Sequence, residues 1–299
     1  MARIELPQRG LWIEAECHGN VGDPPIVLIM GLGLQLVSWP APLIDILVAA
    51  RRRVVVFDNR DVGLSGTRIA SGSTPLNSAL LRYLMHREFV PPYTIADMAA
   101  DTLALADALG IQRFDLVGVS LGGMIAQTIA AEHAPRVRSL TSIMSSAGPR
   151  ASPWPTFTVL RKFLRRVPSN AGFDAQLAHF TDLLSSLGHL RDPVELEALR
   201  TRLRVSLKRA YNPAGTMRQL LAVLAAPDRS ASIARIACPT LIVHGADDPL
   251  VPLPAAHHLA SLIPHARLEV LHDFGHYLPA AKMPLLADLI LAQLAEAAE

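Results

Sequence analysis

Hydrophobic and polar positions change their period several times along this chain, and each change marks an element. Leu11, Ile13 and Ala15 alternate with Trp12, Glu14 and Glu16; period two with one wet face predicts an edge strand over 10–17. After a Gly- and Pro-bearing turn, the run 26–30 is apolar throughout, and 53–57 and 114–119 are nearly so. Runs of this kind suit strands buried on both faces of a parallel sheet. Further strands are predicted at 137–144, 240–244 and 267–271.

Helical spacing separates these runs. A helix is predicted over 38–50, with Ser38 as N-cap and Trp39, Leu43, Ile46 and Leu47 on one face. The segment 67–93 reads as part loop and part short helix around 76–86. Thr94 and Asp97 form a capping box with Asp in place of Glu, followed by the stripe Ile95, Met98, Thr102, Leu105 and Leu109, with Gly110 as terminator. Helices are also predicted over 124–131, 254–262 and 283–297. Strands alternating with helices imply a parallel sheet flanked by helices, an α/β fold. The alternation stops at the Pro-rich exit 147–155, and 156–224 is helical throughout. The expected organisation is a core of residues 1–148 and 231–299 with a helical cap, 149–230, inserted over the carboxyl ends of the strands. There is no internal repeat.

Composition narrows this little. With 299 residues, 51% hydrophobic and 18% charged, the chain can build a sizeable core and is not a candidate for disorder. A net charge of +2 offers no argument for nucleic acid. Charge is uneven, however: 150–229 carries 13 Lys/Arg against 6 Asp/Glu, or +7, which leaves the rest at −5. Cys17 and Cys238 lie too far apart to suggest a disulfide framework or a metal site. Residues 1–25 contain Glu5, Arg9, Glu14 and Glu16 and no apolar stretch, so no secretory signal is expected. The longest apolar run, 26–37, is short and broken by Gly31 and Gly33. The expectation is a cytoplasmic protein without stable membrane insertion.

Candidate chemistry centres on Gly118-Val119-Ser120-Leu121-Gly122, placed between a predicted strand and a predicted helix. This is the pattern of a nucleophile elbow. The turn strains the serine backbone at a cost of about 1–3 kcal/mol. Gly118 and Gly122 leave room where strand and helix would collide, and the Leu121 amide is left free at a helix N-terminus to bind an oxyanion. A serine nucleophile needs a base, and the base an orienting carboxylate. Both are available further along, at strand ends: Asp247 and Asp248 after 240–244, and His272 and His276 after 267–271.

Taken together, these motifs resemble the serine hydrolases of the alpha/beta-hydrolase family over nearly the whole chain outside the cap. The resemblance implies an alpha/beta-hydrolase fold, selects Asp248 over Asp247 as the acid, and selects His276, in Gly275-His276, as the base. It implies Leu32, in Met30-Gly31-Leu32-Gly33, as the second oxyanion donor, with Met30 where the family usually has histidine. With Trp39-Pro40, this loop resembles a carboxylesterase subgroup that includes aclacinomycin methylesterase. Asp58-Asn59-Arg60, Gly63 and Ser65 match a family signature expected to brace the loops beneath the oxyanion site. The Gly31-Leu32 arrangement implies that esters of tertiary alcohols are poor substrates.

The function expected is therefore hydrolysis of a small-molecule carboxylic ester through an acyl-serine, with no cofactor and no metal. Perhydrolysis without a cofactor, C–C bond hydrolysis with the same triad, and a ligand-binding receptor on this scaffold remain as alternatives. Short to medium acyl chains are expected because the cap combines a basic face with apolar helical positions: Leu160, Phe163, Leu164, Phe173, Leu177, Phe180, Leu183 and Leu184. Arg161, Lys162, Arg165 and Arg166 read as a solvated cap surface, or as an attractor of anionic substrates or a membrane surface. His257 and His258 read as surface residues. Gly31-Leu32-Gly33 lacks the third glycine of a dinucleotide site.

Overall fold

The computed structural model describes residues 1–67, 74–153, 155–165 and 172–297. Arg166 lies outside them, as do the side chains of Leu160, Phe163 and Leu164. Nine strands form one sheet: β1 Ala2–Leu6, β2 Leu11–His18, β3 Pro25–Ile29, β4 Arg53–Phe57, β5 Gly66–Thr67, β6 Phe114–Val119, β7 Val137–Ile143, β8 Thr240–Gly245 and β9 Ala266–Leu271. Their order is β1-β2-β4-β3-β6-β7-β8-β9, with the short β5 paired to β2. β2 runs antiparallel to β1 and β4; every pairing from β4 onward is parallel.

The uninterrupted apolar runs are explained by two separate cores. On β3, Val27 and Ile29 belong to one cluster while Ile26 and Leu28 belong to the other. The first cluster takes most of its helical side chains from α3 Ile95–Ala108, α4 Leu121–Glu132 and α10 Pro254–Leu262, and the second most of its own from α1 Ala41–Ala49 and α11 Met283–Glu296. Alternate residues of one strand are thus both buried, on opposite faces.

Two expectations need correction. The strand 10–17 is not the edge; β1 lies outside it, and Arg3 and Glu5 on that strand supply the charge that blunts a true edge. Ala2, Ile4 and Leu6 do alternate with Arg3 and Glu5, but the run is only five residues long before Pro7. Ser38 does not cap α1 either: it closes a 3₁₀ turn, Leu36–Ser38, and Pro40 is the N-cap with a further proline in the first turn, where no N–H is needed. The Thr94/Asp97 capping box is present as expected.

Between β7 and β8 the elements among the described residues are all helices: α5 Phe157–Leu164, α6 Phe173–Gly188, α7 Pro193–Arg209, α8 Pro213–Ala225 and the short α9 Ser230–Ile233. α7 packs on the Leu36–Ser38 turn and α8 on α2 Leu76–Leu84. Because β3, β4, β6, β8 and β9 are parallel, the loops that follow them share one edge of the sheet. No helix among the described residues is long and apolar enough to cross a membrane.

Candidate active site

Ser120 sits between β6 and α4 with φ 54° and ψ −115°, outside the regions a non-glycine residue prefers. Its surroundings enforce this. The Ser120 N–H donates to Ile143 O at 2.8 Å, and Ser145 Oγ donates to Ser120 O at 2.8 Å. A Cβ on Gly118 would lie 2.2 Å from Gly122 O, and one on Gly122 would lie 2.0 Å from Ile29 O. Only glycine lets strand, helix and the neighbouring strand meet this closely.

The loops after β8 and β9 bring a carboxylate and an imidazole to the same place. Ser120 Oγ is 3.0 Å from His276 Nε2, and His276 Nδ1 is 2.6 Å from Asp248 Oδ2. A carboxylate can only accept, so Nδ1 carries the proton and Nε2 is left free to take the serine proton. Asp248 is buried and held by its other oxygen, which accepts the N–H groups of Leu250 at 2.9 Å and Val251 at 2.8 Å. Asp247 and His272 are exposed and join none of this. Behind Asp248 stands His244, also buried, whose Nε2 lies 2.7 Å from Val251 O and 3.6 Å from Asp248 Oδ2. Burial lowers the His244 pKa, against the pull of Asp248.

Two backbone N–H groups flank the serine. Leu121 opens α4, so its N–H has no helical acceptor. In the loop after β3, Gly33 N–H is taken by Gln219 Oε1 at 2.9 Å and Leu34 N–H by Gly31 O at 3.2 Å, while Leu32 N–H has no protein acceptor among the described residues. A Cβ on Gly31 would come within 3.4 Å of Ser120 Cβ, so this loop passes directly beside the hydroxyl.

The 58–65 segment braces the loop. Asp58 Oδ1 accepts Leu36 N–H at 2.7 Å, and its Oδ2 accepts Leu64 N–H at 2.9 Å and Arg209 Nη1 at 2.6 Å. Asn59 Nδ2 donates to Met30 O at 2.9 Å. Arg60 grips Asp101 through two bonds of 2.6 Å, and Asp61 pairs with Arg218 at 2.7 Å. Under the elbow helix, buried Arg229 donates to Met124 O at 3.0 Å, and to Gln127 Oε1 and Ser146 O at 2.8 Å. Burial pushes its pKa down to about 10, against the pull of Asp228 and Glu132.

Ser120, His276, Leu32 and Leu121 open onto a cavity of about 380 Å³, roofed by apolar side chains of α6 and α7 that include Phe180, Leu183, Leu187, Leu199 and Leu203. Of the other predicted roof positions, Leu184 lines the cavity, Phe173 is exposed and Leu177 is not on its wall. Arg202 is the cation on that wall; it donates to the Tyr277 hydroxyl, and burial lowers its pKa. Lys162 is taken up within the helical block by Asp182 at 2.7 Å and Ser186 at 2.6 Å, whereas Arg161 and Arg165 are exposed. His257 is exposed and His258 half-buried against Ser230. Among the described residues no cluster of His, Cys, Asp or Glu is arranged to hold a metal ion. Gln35, Arg209, Gln219 and Arg229 escaped the sequence reading: Arg209 and Gln219 look like ordinary solvated residues of their helices, and Gln35 and Arg229, just before short helical turns, belong to no motif that marks them.

This chain belongs to the alpha/beta hydrolase fold family, whose model matches residues 24–280. It is 29% identical to rhodomycin D methylesterase of Streptomyces peucetius, over 94% of each chain. It is also 29% identical to 2-hydroxymuconate semialdehyde hydrolase of Pseudomonas putida, over 69% of this chain and 70% of that one. A carboxylesterase structure from Nitrososphaera gargenis superposes with a TM-score of 0.77 at 21% identity, covering 99% of both chains. The expected hydrolase family is thereby found, and a methylesterase is among the relatives of this chain.

Proposed function

We propose that this chain hydrolyses small carboxylic esters through an acyl-serine, with Ser120 as nucleophile, His276 as general base and then acid, and Asp248 as the carboxylate that orients it. One observation carries the reading: the hydrogen-bond line Ser120–His276–Asp248 ends on an apolar cavity with two unclaimed backbone donors beside the serine. Ser120 Oγ attacks the ester carbonyl carbon as its proton passes to His276 Nε2. The carbonyl oxygen becomes an oxyanion received by the N–H groups of Leu32 and Leu121. Collapse breaks the bond to the alcohol oxygen, which takes the proton from His276. A water then repeats the sequence on the acyl-serine, releasing the acid and restoring Ser120. Residues 149–230 serve as the cap, and the cavity's size and apolar roof favour short to medium acyl chains.

Hydrolysis of a C–C bond next to a carbonyl is the second reading, favoured by the relation to the semialdehyde hydrolase. It would use the same nucleophile and base. The test is a panel of chromogenic esters run beside a ring-cleavage dienoate, with a fluorophosphonate that labels the active serine. Ester turnover, covalent labelling at Ser120 and loss of nearly all activity in Ser120→Ala are expected. Turnover of the dienoate alone would favour the second reading, and Ser120→Ala retaining more than a few per cent of activity would overturn both.

A further inference from the structure

The oxyanion loop is held only in part by its own turn. Gln219 on α8 is fully buried with both ends of its amide bonded: Oε1 accepts Gly33 N–H at 2.9 Å, and Nε2 donates to Arg60 O at 2.9 Å. Burying an amide is unfavourable unless every such bond is made, and neighbouring Leu220 and Leu221 show that apolar residues also suit this helix. The Gln219 amide holds the peptide that adjoins the one carrying the Leu32 N–H, and so sets how that peptide can turn. The peptide before Leu32 is tied by the loop's own turn, Leu34 N–H to Gly31 O at 3.2 Å, while the peptide after it, Leu32–Gly33, is tied among the described residues by Gln219 alone. Gly33 has φ +69°, and a Cβ there would lie 2.8 Å from Thr216 Cγ2, one turn before Gln219. A glycine in that region has several backbone states of similar energy, so the bond from α8 selects among them.

We infer that Gln219 is a positioning residue that aims the Leu32 N–H, making the oxyanion site depend on α8 being docked. The inference rests on the roles proposed for Ser120 and Leu32. Arg209 and Gln35 support the same coupling from α7: Arg209 Nη1 bonds Gln35 Oε1 at 2.8 Å, and Gln35 Nε2 donates to Ser206 O at 2.9 Å and Ala210 O at 2.8 Å. Two helices of the cap therefore hold the loop, by polar bonds as well as by apolar packing. A cap that lifted would loosen the oxyanion site at the same moment.

The test compares Gln219→Met, which keeps the length and loses both bonds, with Gln219→Glu, which keeps an acceptor for Gly33. Kinetics on 4-nitrophenyl butyrate are read beside the inhibition constant of an alkyl trifluoromethyl ketone, whose serine adduct carries an oxyanion, and beside the melting temperature. Gln219→Met should lower kcat by roughly 10- to 100-fold, the scale of a misplaced group. Its KM should stay within about threefold, because the bond acts in the transition state. Affinity for the ketone should fall with kcat, and Gln219→Glu should recover most of both. Gln219→Leu replaces the Met variant should that one not fold. A fall in melting temperature or a rise in KM with kcat and ketone affinity intact would overturn the inference, as would Gln219→Glu failing as badly as Gln219→Met. If the native protein neither turns over the ester nor binds the ketone, the proposed function itself falls.

Discussion

The carbonyl of Leu187, in the last turn of α6, accepts the backbone N–H of His276 at 2.7 Å. The helix that roofs the cavity therefore also holds the loop carrying the proposed base. The contact is as close as backbone allows, since a Cβ on Gly275 would lie 2.4 Å from the same carbonyl oxygen. Roof and base loop are packed directly against each other.

Gly275→Ala should consequently displace His276 from Ser120 without removing any reacting group. Loss of kcat on the order of 10²-fold is expected, the scale set by an error of about 1 Å in a reacting pair. Fluorophosphonate labelling should slow in parallel while circular dichroism stays native. Unchanged kcat in a folded Gly275→Ala variant would show that the loop has slack the structure does not suggest.

The two adjacent aspartates make a paired prediction. Asp248 is buried, bonded to His276 and to two backbone N–H groups, whereas Asp247 is exposed. Asp248→Asn replaces an acceptor with a donor at the imidazole and favours the wrong tautomer. It should lower kcat by up to about 10⁴-fold, by analogy with other triads. Asp247→Asn should change kcat by less than about threefold, as a surface substitution does. Steady-state kinetics on one soluble ester decide the ranking, and the reverse order would move the acid by one residue.

These cases show where the sequence was legible. The elbow could be read because its causes lie within five residues: Gly118 and Gly122 have to be small, and Ser120 has to turn. The aspartate choice needed the family pattern, because spacing alone leaves Asp247 and Asp248 equivalent; burial separates them. Gln219 and Arg209 could not be read. Their partners, Gly33 and Asp58, lie 186 and 151 residues away, and nothing local distinguishes them from solvated helix residues. β1 was legible and was missed: Ala2, Ile4 and Leu6 alternate with Arg3 and Glu5, but over only five residues before Pro7.

His244 supplies a prediction for stability against pH. Burial lowers its pKa below the ordinary value of 6.5, so between those two values the unfolded chain binds a proton that the folded chain refuses. Stability should fall as pH drops below about 6.5 and stop falling from this source once the folded-state pKa is passed. His244→Gln keeps a donor for Val251 O and removes the titration. Its melting temperature at pH 7.5 should be somewhat lower than native, and its further loss between pH 7 and pH 5 should be smaller. Parallel melting curves that keep the same acid-side slope would exclude His244 as the source.

The last prediction concerns chain length. The cavity holds about 380 Å³ beneath an apolar roof, and its wall includes Leu183, Leu187, Leu199 and Leu203. Each methylene that enters should add at most about 0.8 kcal/mol, or about fourfold in kcat/KM. That gain ends where the chain meets the far wall, because packed side chains yield little and overfilling costs about 1–3 kcal/mol. For a series of 4-nitrophenyl esters, kcat/KM should therefore climb with acyl length, peak at a short to medium chain, and drop. Phe180→Ala should move the peak toward longer chains by opening the roof, leaving the rate on acetate close to native. The rate should also pass smoothly through the solubility limit of the substrate, since α6 is bonded to the His276 loop through Leu187 and α8 to the loop after β3 through Gln219. A sharp rise at that limit, with the highest activity on long-chain triglyceride emulsions, would mean that the cap opens onto lipid and that these bonds break in the working enzyme.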